Sequence, residues 1–276
     1  MRRSTGMTAG VMLICLGLVI FNRIDDFIKE SSIWSFYSFL FITLGYMAKS
    51  LFLEYIFYYK SGANRGLWKI QCDKGTVGKM FGPPILGVVK PNRHPLHRLF
   101  SSINIFQAGL FAFFTCELSI RGWNKMYFDE VSLLKMAVEL TASISWQSVA
   151  EYWWHILMHQ PKVYKVLHKY HHYYKSPEPF DDLFIHPLES AGYYCILYSI
   201  PFVMSVHCNS MLVYMAIMGV FGVMDHSGVK FTVKIPFLGV IYDSNDHDIH
   251  HKYFDFNYAF PFPVLDVFHG TYWHQK

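Results

Sequence analysis

Long apolar runs separated by short polar breaks dominate this chain. A helix that crosses a bilayer needs about 20 mostly apolar residues. Six runs approach that length: 7–21, 33–59, 99–120, 131–158, 188–206 and 210–224. The first is short but uncharged, and reads as a first span or an uncleaved signal-anchor. Lys49, Glu54, Lys135, Glu139 and Glu151 interrupt the others. Charges at such depth are costly, so they face a bundle interior or snorkel to its edge. The last two runs lie a few residues apart and predict a tight helical hairpin. The expected fold is all-α: a polytopic transmembrane helical bundle with a histidine-rich metal-binding cap. Residues 1–130 would supply N-terminal spans and a basic loop, and residues 131–276 a second, histidine-rich domain.

Composition agrees. Hydrophobic residues make up 53% of the chain and charged residues 16%, against about 25% charged in soluble domains. The loop 60–98 carries Lys60, Arg65, Lys69, Lys74, Lys79, Lys90, Arg93 and Arg98 against a single acid, Asp73. By the positive-inside rule this loop is cytosolic, and Arg2 and Arg3 put the N-terminus on the same side. Alternating from there, the run 131–158 exits to the cytosol at Trp153-Trp154. No basic helix or RNA-binding signature is visible, so nucleic acid is not an expected partner. The five cysteines are scattered and form no C-x-x-C pair, which argues against a disulfide framework and a thiolate metal site.

Three histidine clusters change the picture: His155 with His159, then His168, His171 and His172, then His247, His250 and His251. On a helix, spacings of i, i+3 and i+4 put the imidazoles of each cluster on one face. Imidazole is the commonest transition-metal ligand. Histidine is 15 of 276 residues, so chance would produce about 0.04 HxxHH matches in the chain, where two occur. Eight such ligands exceed the needs of one ion and point to two. All three clusters fall on the cytosolic side of the predicted topology. Glu151, one turn before His155, is placed to accept the outer N–H of that histidine. The aromatic segment 253–263 reads as core packing or an interfacial belt, with a lid over an apolar substrate as the sharper alternative.

The order HxxxH, HxxHH, His186-Pro187-Leu188-Glu189, Asp225-His226-Ser227-Gly228, HDIHH and Gly270-Thr271-Tyr272 resembles the fatty acid hydroxylase superfamily over residues 149–272. That superfamily includes sterol desaturases, C4-methyl sterol oxidases, sphingolipid hydroxylases and cholesterol 25-hydroxylase-like enzymes. The resemblance implies a non-haem di-iron oxygenase of the endoplasmic reticulum membrane. It implies O₂ as oxidant, cytochrome b5 and its reductase as electron donor, and a lipid, most of all a sterol, as substrate. Zinc could replace iron in purified samples. By position it makes His155, His159, His168, His171, His172, His247, His250 and His251 catalytic metal ligands, with His226 a ninth. His186 would be a supporting or structural residue. His94, His97, His207, His269 and His274 match no motif and read as surface or interfacial residues.

Other readings stay open. An acyl-lipid or sphingolipid hydroxylase or desaturase of the same superfamily is one. A non-catalytic metal-binding membrane scaffold is another. A metalloprotease of the H-E-x-x-H type would need a glutamate at position 156, where this chain has isoleucine.

Overall fold

The structure, a computed structural model, describes residues 30–61, 64–72, 93–236 and 239–273. The expected run 7–21 lies outside them. Helix α1 (Ile33–Leu53) starts at Ser32, whose side chain caps the Trp34 N–H, and widens into a π-helical stretch over Glu54–Lys60. A short α2 (Arg65–Trp68) follows. Helix α3 (His97–Ile120) packs along α1. Helix α4 (Leu133–Met158) begins at the Ser132 cap and ends at His159. Next come a one-turn α5 (Pro161–Tyr164), α6 (Pro187–Leu197), α7 (Ile200–Val203) and α8 (Cys208–Asp225). Helices α9 (Ser244–Tyr253) and α10 (Val264–His269) are the last among the described residues.

Among the described residues, three helical stretches are long and apolar enough to cross a membrane: Ile33–Lys60, His97–Ile120 and Cys208–Asp225. Trp34, Phe41, Leu44 and Phe52 of α1 lie more than half exposed, an outward apolar face of the kind lipid covers. Two other expected spans differ. Helix α4 has the length but too much polarity. Its Glu139 is held by Tyr127, by the His207 N–H at 3.0 Å and by Ser210 Oγ at 2.7 Å. The run 188–206 is no single helix. Helix α6 stops after 11 residues, about 16 Å and roughly half a bilayer core, and the chain restarts at Pro201 in α7. The predicted hairpin is therefore a broken helix followed by α8.

Two small sheets were not foreseen in the all-α reading. Met126–Tyr127 (β1) pairs in parallel with Val206–His207 (β2). Thr232–Ile235 (β3) and Gly239–Asp243 (β4) form an antiparallel hairpin leading into α9. Both arise in segments too short for periodicity to register.

The basic loop and the histidine-bearing segment are tied together. Arg93 meets Asp181 at 2.8 Å and Glu178 at 3.2 Å, and His97 meets Asp181 at 3.1 Å. Lys69 is fully buried, with Nζ 3.1 Å from Tyr58 Oη. Asn104 of α3 donates to the carbonyls of Leu183 and Ile185 and accepts from Ser190 Oγ. These contacts fix the entry to α6. His97 and His207 are thus buried, contrary to the surface reading: His97 pairs with Asp181, and His207 caps α8 at the Asn209 N–H. His269 stacks on Tyr152. His274 is outside the described residues.

Gly228 shows why the Asp-His-Ser-Gly turn needs its last residue. Its φ is +68°, and a Cβ there would lie 2.8 Å from the Pro177 carbonyl oxygen. Gly228→Ala should cost about 2 kcal/mol or more through left-handed strain and the clash. The thermal midpoint in detergent should fall by several degrees; an unchanged midpoint would contradict this account of the turn.

Candidate metal centre

The chain brings all nine singled-out histidines to one place. They sort into two groups, His155, His159, His168, His172 and His250 in one, and His171, His226, His247 and His251 in the other, each with ligand atoms mutually within 4.8 Å. The clusters are shared between the groups rather than each serving one. The i, i+4 pairs 155/159 and 168/172 feed the first group, and 247/251 the second. The i+3 members His171 and His250 cross to the opposite group. In the third cluster, which lies on α9, an i+4 step advances about 40° past a full turn and an i+3 step falls about 60° short, so His250 and His251 diverge enough to reach different centres. The second cluster also departs from expectation in form: it lies in irregular turns and a single 3₁₀ turn over His171–Tyr173, not an α-helix.

Position comes from the backbone around the rings. His155 Nδ1 donates to the Tyr258 carbonyl at 2.8 Å, His226 Nδ1 to the Gly222 carbonyl at 2.9 Å and His250 Nδ1 to the Phe256 carbonyl at 2.6 Å. His168 Nδ1 donates to Glu189 Oε1. In each case the N–H sits on Nδ1, and the lone pair of Nε2 faces inward. This outer bonding is how proteins fix a ligating tautomer. The aromatic segment therefore has a role that neither packing nor a lid anticipated: its carbonyls hold two rings. Asp266 fixes that segment in turn, accepting from the N–H groups of Tyr258 and Ala259 and from Thr271 Oγ1.

One expectation changes, for Glu151, and the two-way reading of His186 narrows to its structural branch. Glu151 does not hold His155, which Tyr258 already satisfies; Glu151 accepts instead from Gln147. In the His-Pro-x-Glu motif the supporting residue is Glu189, while His186 caps α6 at the Leu188 N–H. The spacing of the motif carried this signal: a residue at the third helical position of α6 turns back toward the cap.

Do these rings fit a metal? The Nε2 atoms of His159, His168 and His172 stand 3.1 Å from one another. Each nitrogen either donates or accepts, and in a triangle at least one pair must be like with like. Hydrogen bonding alone therefore cannot satisfy them. The triangle's centre lies about 1.8 Å from each corner (3.1/√3), just inside the ~2.0–2.1 Å of a metal–imidazole bond. The Nε2 atoms of His155, His250 and His251 are buried with no hydrogen-bond partner. Unpaired buried polar atoms are costly, and a cation supplies the missing partner. The donor set is all nitrogen, which suits iron, zinc or copper. Burial also keeps the rings neutral and able to bind. It drives His159 down to about 2 and His168, His171, His172, His247, His250 and His251 well below the ordinary histidine range, with mutual repulsion adding to the effect.

A cavity opens beside the centre, lined by His155, His168, His171, His226 and His247 and otherwise mostly by apolar residues of α1, α3, α6 and α8. Its volume is 180 Å³, below the roughly 300–1,000 Å³ of pockets that bury drug-sized ligands.

Residues 140–271 match the family model described as fatty acid hydroxylase. This segment is similar to fatty acid hydroxylase domains. All nine histidines fall within it. The lathosterol oxidase of Homo sapiens is 29% identical over 159 residues, 56% of this chain and 53% of that protein. The Delta(7)-sterol 5(6)-desaturase of Candida glabrata is 30% identical over 161 residues, 56% of this chain and 43% of that protein. The chain spans about half the length of the curated relatives it matches. No solved structure matches it.

The buried neutral rings of this segment set a pH dependence. Their folded-state pKa values are depressed, whereas in the unfolded chain they titrate near 6.5. As pH falls below that value the unfolded state takes up protons that the folded state refuses, so stability drops. Bound metal sharpens the effect, because protons compete for the same nitrogens. The thermal midpoint should fall steadily between pH 7 and pH 5, with loss of metal. A midpoint that holds or rises over that interval would contradict the burial of neutral imidazoles.

Proposed function

We propose that this protein is a membrane-bound non-haem di-iron oxygenase that oxidises a C–H bond of a lipid, most of all a sterol. The observation that carries the reading is the pairing of nine converging imidazoles with an adjoining apolar cavity. The names of the matched relatives, a lathosterol oxidase and a sterol desaturase, support the sterol class. His155, His159, His168, His172 and His250 would hold one iron, and His171, His226, His247 and His251 the other. Bound iron supplies the oxygen chemistry that no protein side chain can.

The chain's own residues do the rest. Glu189 and the carbonyls of Gly222, Phe256 and Tyr258 orient the rings. The apolar wall positions an aliphatic substrate and limits water beside the centre. Electrons would come from a cytochrome b5-type donor, with the histidine cap facing the cytosol of the endoplasmic reticulum. The ties from Arg93 and His97 to Asp181 support a common side for the basic loop and the cap. Desaturation and hydroxylation both fit this arrangement, as does an acyl-lipid substrate.

His171→Ala tests the reading. It removes a nitrogen from the second group while leaving every apolar helix intact. O₂-dependent conversion of a sterol in microsomes should fall at least 100-fold at matched protein abundance, as losses of metal support commonly run about 10- to 100-fold even for outer-sphere partners. His274→Ala, outside every cluster, should match the parent. Full activity in the His171 variant would remove the histidines from the catalysis and leave a metal-binding scaffold as the better account.

A further inference from the structure

Helix α10 is amphipathic in the wrong sense for water. Val264, Val267 and Phe268 share one face at steps of three and four residues and are 68%, 62% and 79% exposed. Asp266, on the opposite face, is fully buried. Six residues reach about 9 Å, too short to cross a bilayer core of about 30 Å. Neither the metal centre nor the cavity uses this apolar face.

The patch continues onto α4. Leu134, Val138, Trp146, Val149, Trp153 and Leu157 recur at helical spacing and are all exposed. Glu139, Ser143 and Gln147 are buried on the other side of the same helix. Thr141 and Ser145 are exposed beside the apolar residues, and their hydroxyls donate to carbonyls of their own helix, those of Ala137 and Thr141, each at 2.8 Å. A face that is apolar and satisfies its own hydroxyls suits lipid, where no water replaces a missing partner. From Leu134 to Leu157 it runs about 35 Å, enough to match a bilayer core. Helix α10 is pinned at its end. His269 stacks on Tyr152 with ring centres 5.1 Å apart and meets Trp153 at 5.3 Å, and Tyr152 Oη lies 3.2 Å from Thr271 Oγ1. Tryptophan is enriched where a span meets the membrane surface.

We propose that α10 lies in the plane of the membrane surface, with Val264, Val267 and Phe268 immersed at the boundary of head groups and acyl chains, and that the bilayer thereby steadies one of the two metal groups. In-plane helices bury an apolar face in this way. The occupant is lipid, because the patch is continuous with a face of bilayer length. The link to the histidines is short. Asp266 accepts from the N–H groups of Tyr258 and Ala259 at 2.9 and 2.7 Å, and the Tyr258 carbonyl accepts from His155 Nδ1 at 2.8 Å. Lipid under α10 therefore holds the His155 ring through two hydrogen bonds. His226, in the other group, is held by the Gly222 carbonyl of α8 instead. The metal part of the proposal rests on the two-site reading; the membrane part does not.

Photo-crosslinking identifies what covers the patch. Full-length protein with p-benzoyl-L-phenylalanine in place of Phe268 is reconstituted into vesicles of palmitoyl-oleoyl-phosphatidylcholine and irradiated. Mass spectrometry should find a phosphatidylcholine adduct on the peptide that contains position 268, as it should for the same probe in place of Phe41 on the outward face of α1. A cross-linked dimer would put a second copy on this face, and an adduct at position 41 without one at 268 would leave it in water; either result overturns the proposal. Metal retention tests the link. Phe268→Asp places a charge at the membrane boundary and nothing in the core. At matched helicity in the same vesicles, it should release one of its ions to EDTA about tenfold faster than the parent, the scale of losses from outer-sphere partners. Phe268→Leu should match the parent. Equal release from Phe268→Asp would overturn the steadying of the metal group. A lipid adduct in protein that holds no metal would instead overturn the two-site reading and leave the membrane contact standing.

Discussion

Nine imidazoles share one small volume in which hydrogen bonding alone cannot satisfy every ring nitrogen, and the rest of the fold is arranged around that constraint. Neutral rings in mutual contact leave lone pairs facing lone pairs. Protonated rings would repel one another. The backbone resolves the geometry by taking the outer N–H of His155, His168, His226 and His250 into fixed hydrogen bonds. That leaves the inner nitrogens free to bind. The elements supplying these bonds come from distant parts of the sequence: α6 brings Glu189, the end of α8 brings Gly222, and the loop after α9 brings Phe256 and Tyr258. Asn104 and Asp266 hold two of those elements in register. The centre is thus the point on which the helices converge, and its rings stay neutral because the helices exclude water.

Much of the site was legible in the sequence because histidine repeats at helical spacing are rare by chance. The same spacing misled in one respect. It suggested a single face for each cluster, whereas His171 and His250 turn away from their neighbours to the other group. Periodicity sees an angle of 100° per residue but not where the partner helices stand. Glu189 was visible in the motif but received no role, and His186 was read as supporting or structural; the cap geometry of α6 bears out the structural reading and leaves the support of His168 to Glu189. Glu151 was assigned to His155 from spacing alone, which could not foresee a carbonyl from 103 residues downstream taking that place.

The fold was legible where helices are long and uniformly apolar, as in α1, α3 and α8. It was misread where apolar character and helix length part company. Helix α4 is long but carries buried polar residues paired with β2 and α8, so its composition is that of an internal helix. The run 188–206 is apolar but breaks at Tyr198 and restarts at Pro201. The short β1–β2 and β3–β4 pairings lie below the length at which an alternating pattern can be recognised. These departures all shape the cavity wall or the approach to the histidines.

The central claim is that the histidines form two metal sites rather than one. Elemental analysis of freshly purified protein, normalised by quantitative amino-acid analysis, tests it most directly. Four or five nitrogens per ion lead to about two metal ions per chain, which on the proposed reading would be iron, with zinc as a substitute. A value near one would mean that the two groups act as a single site, and a value near zero in folded protein would contradict the account altogether.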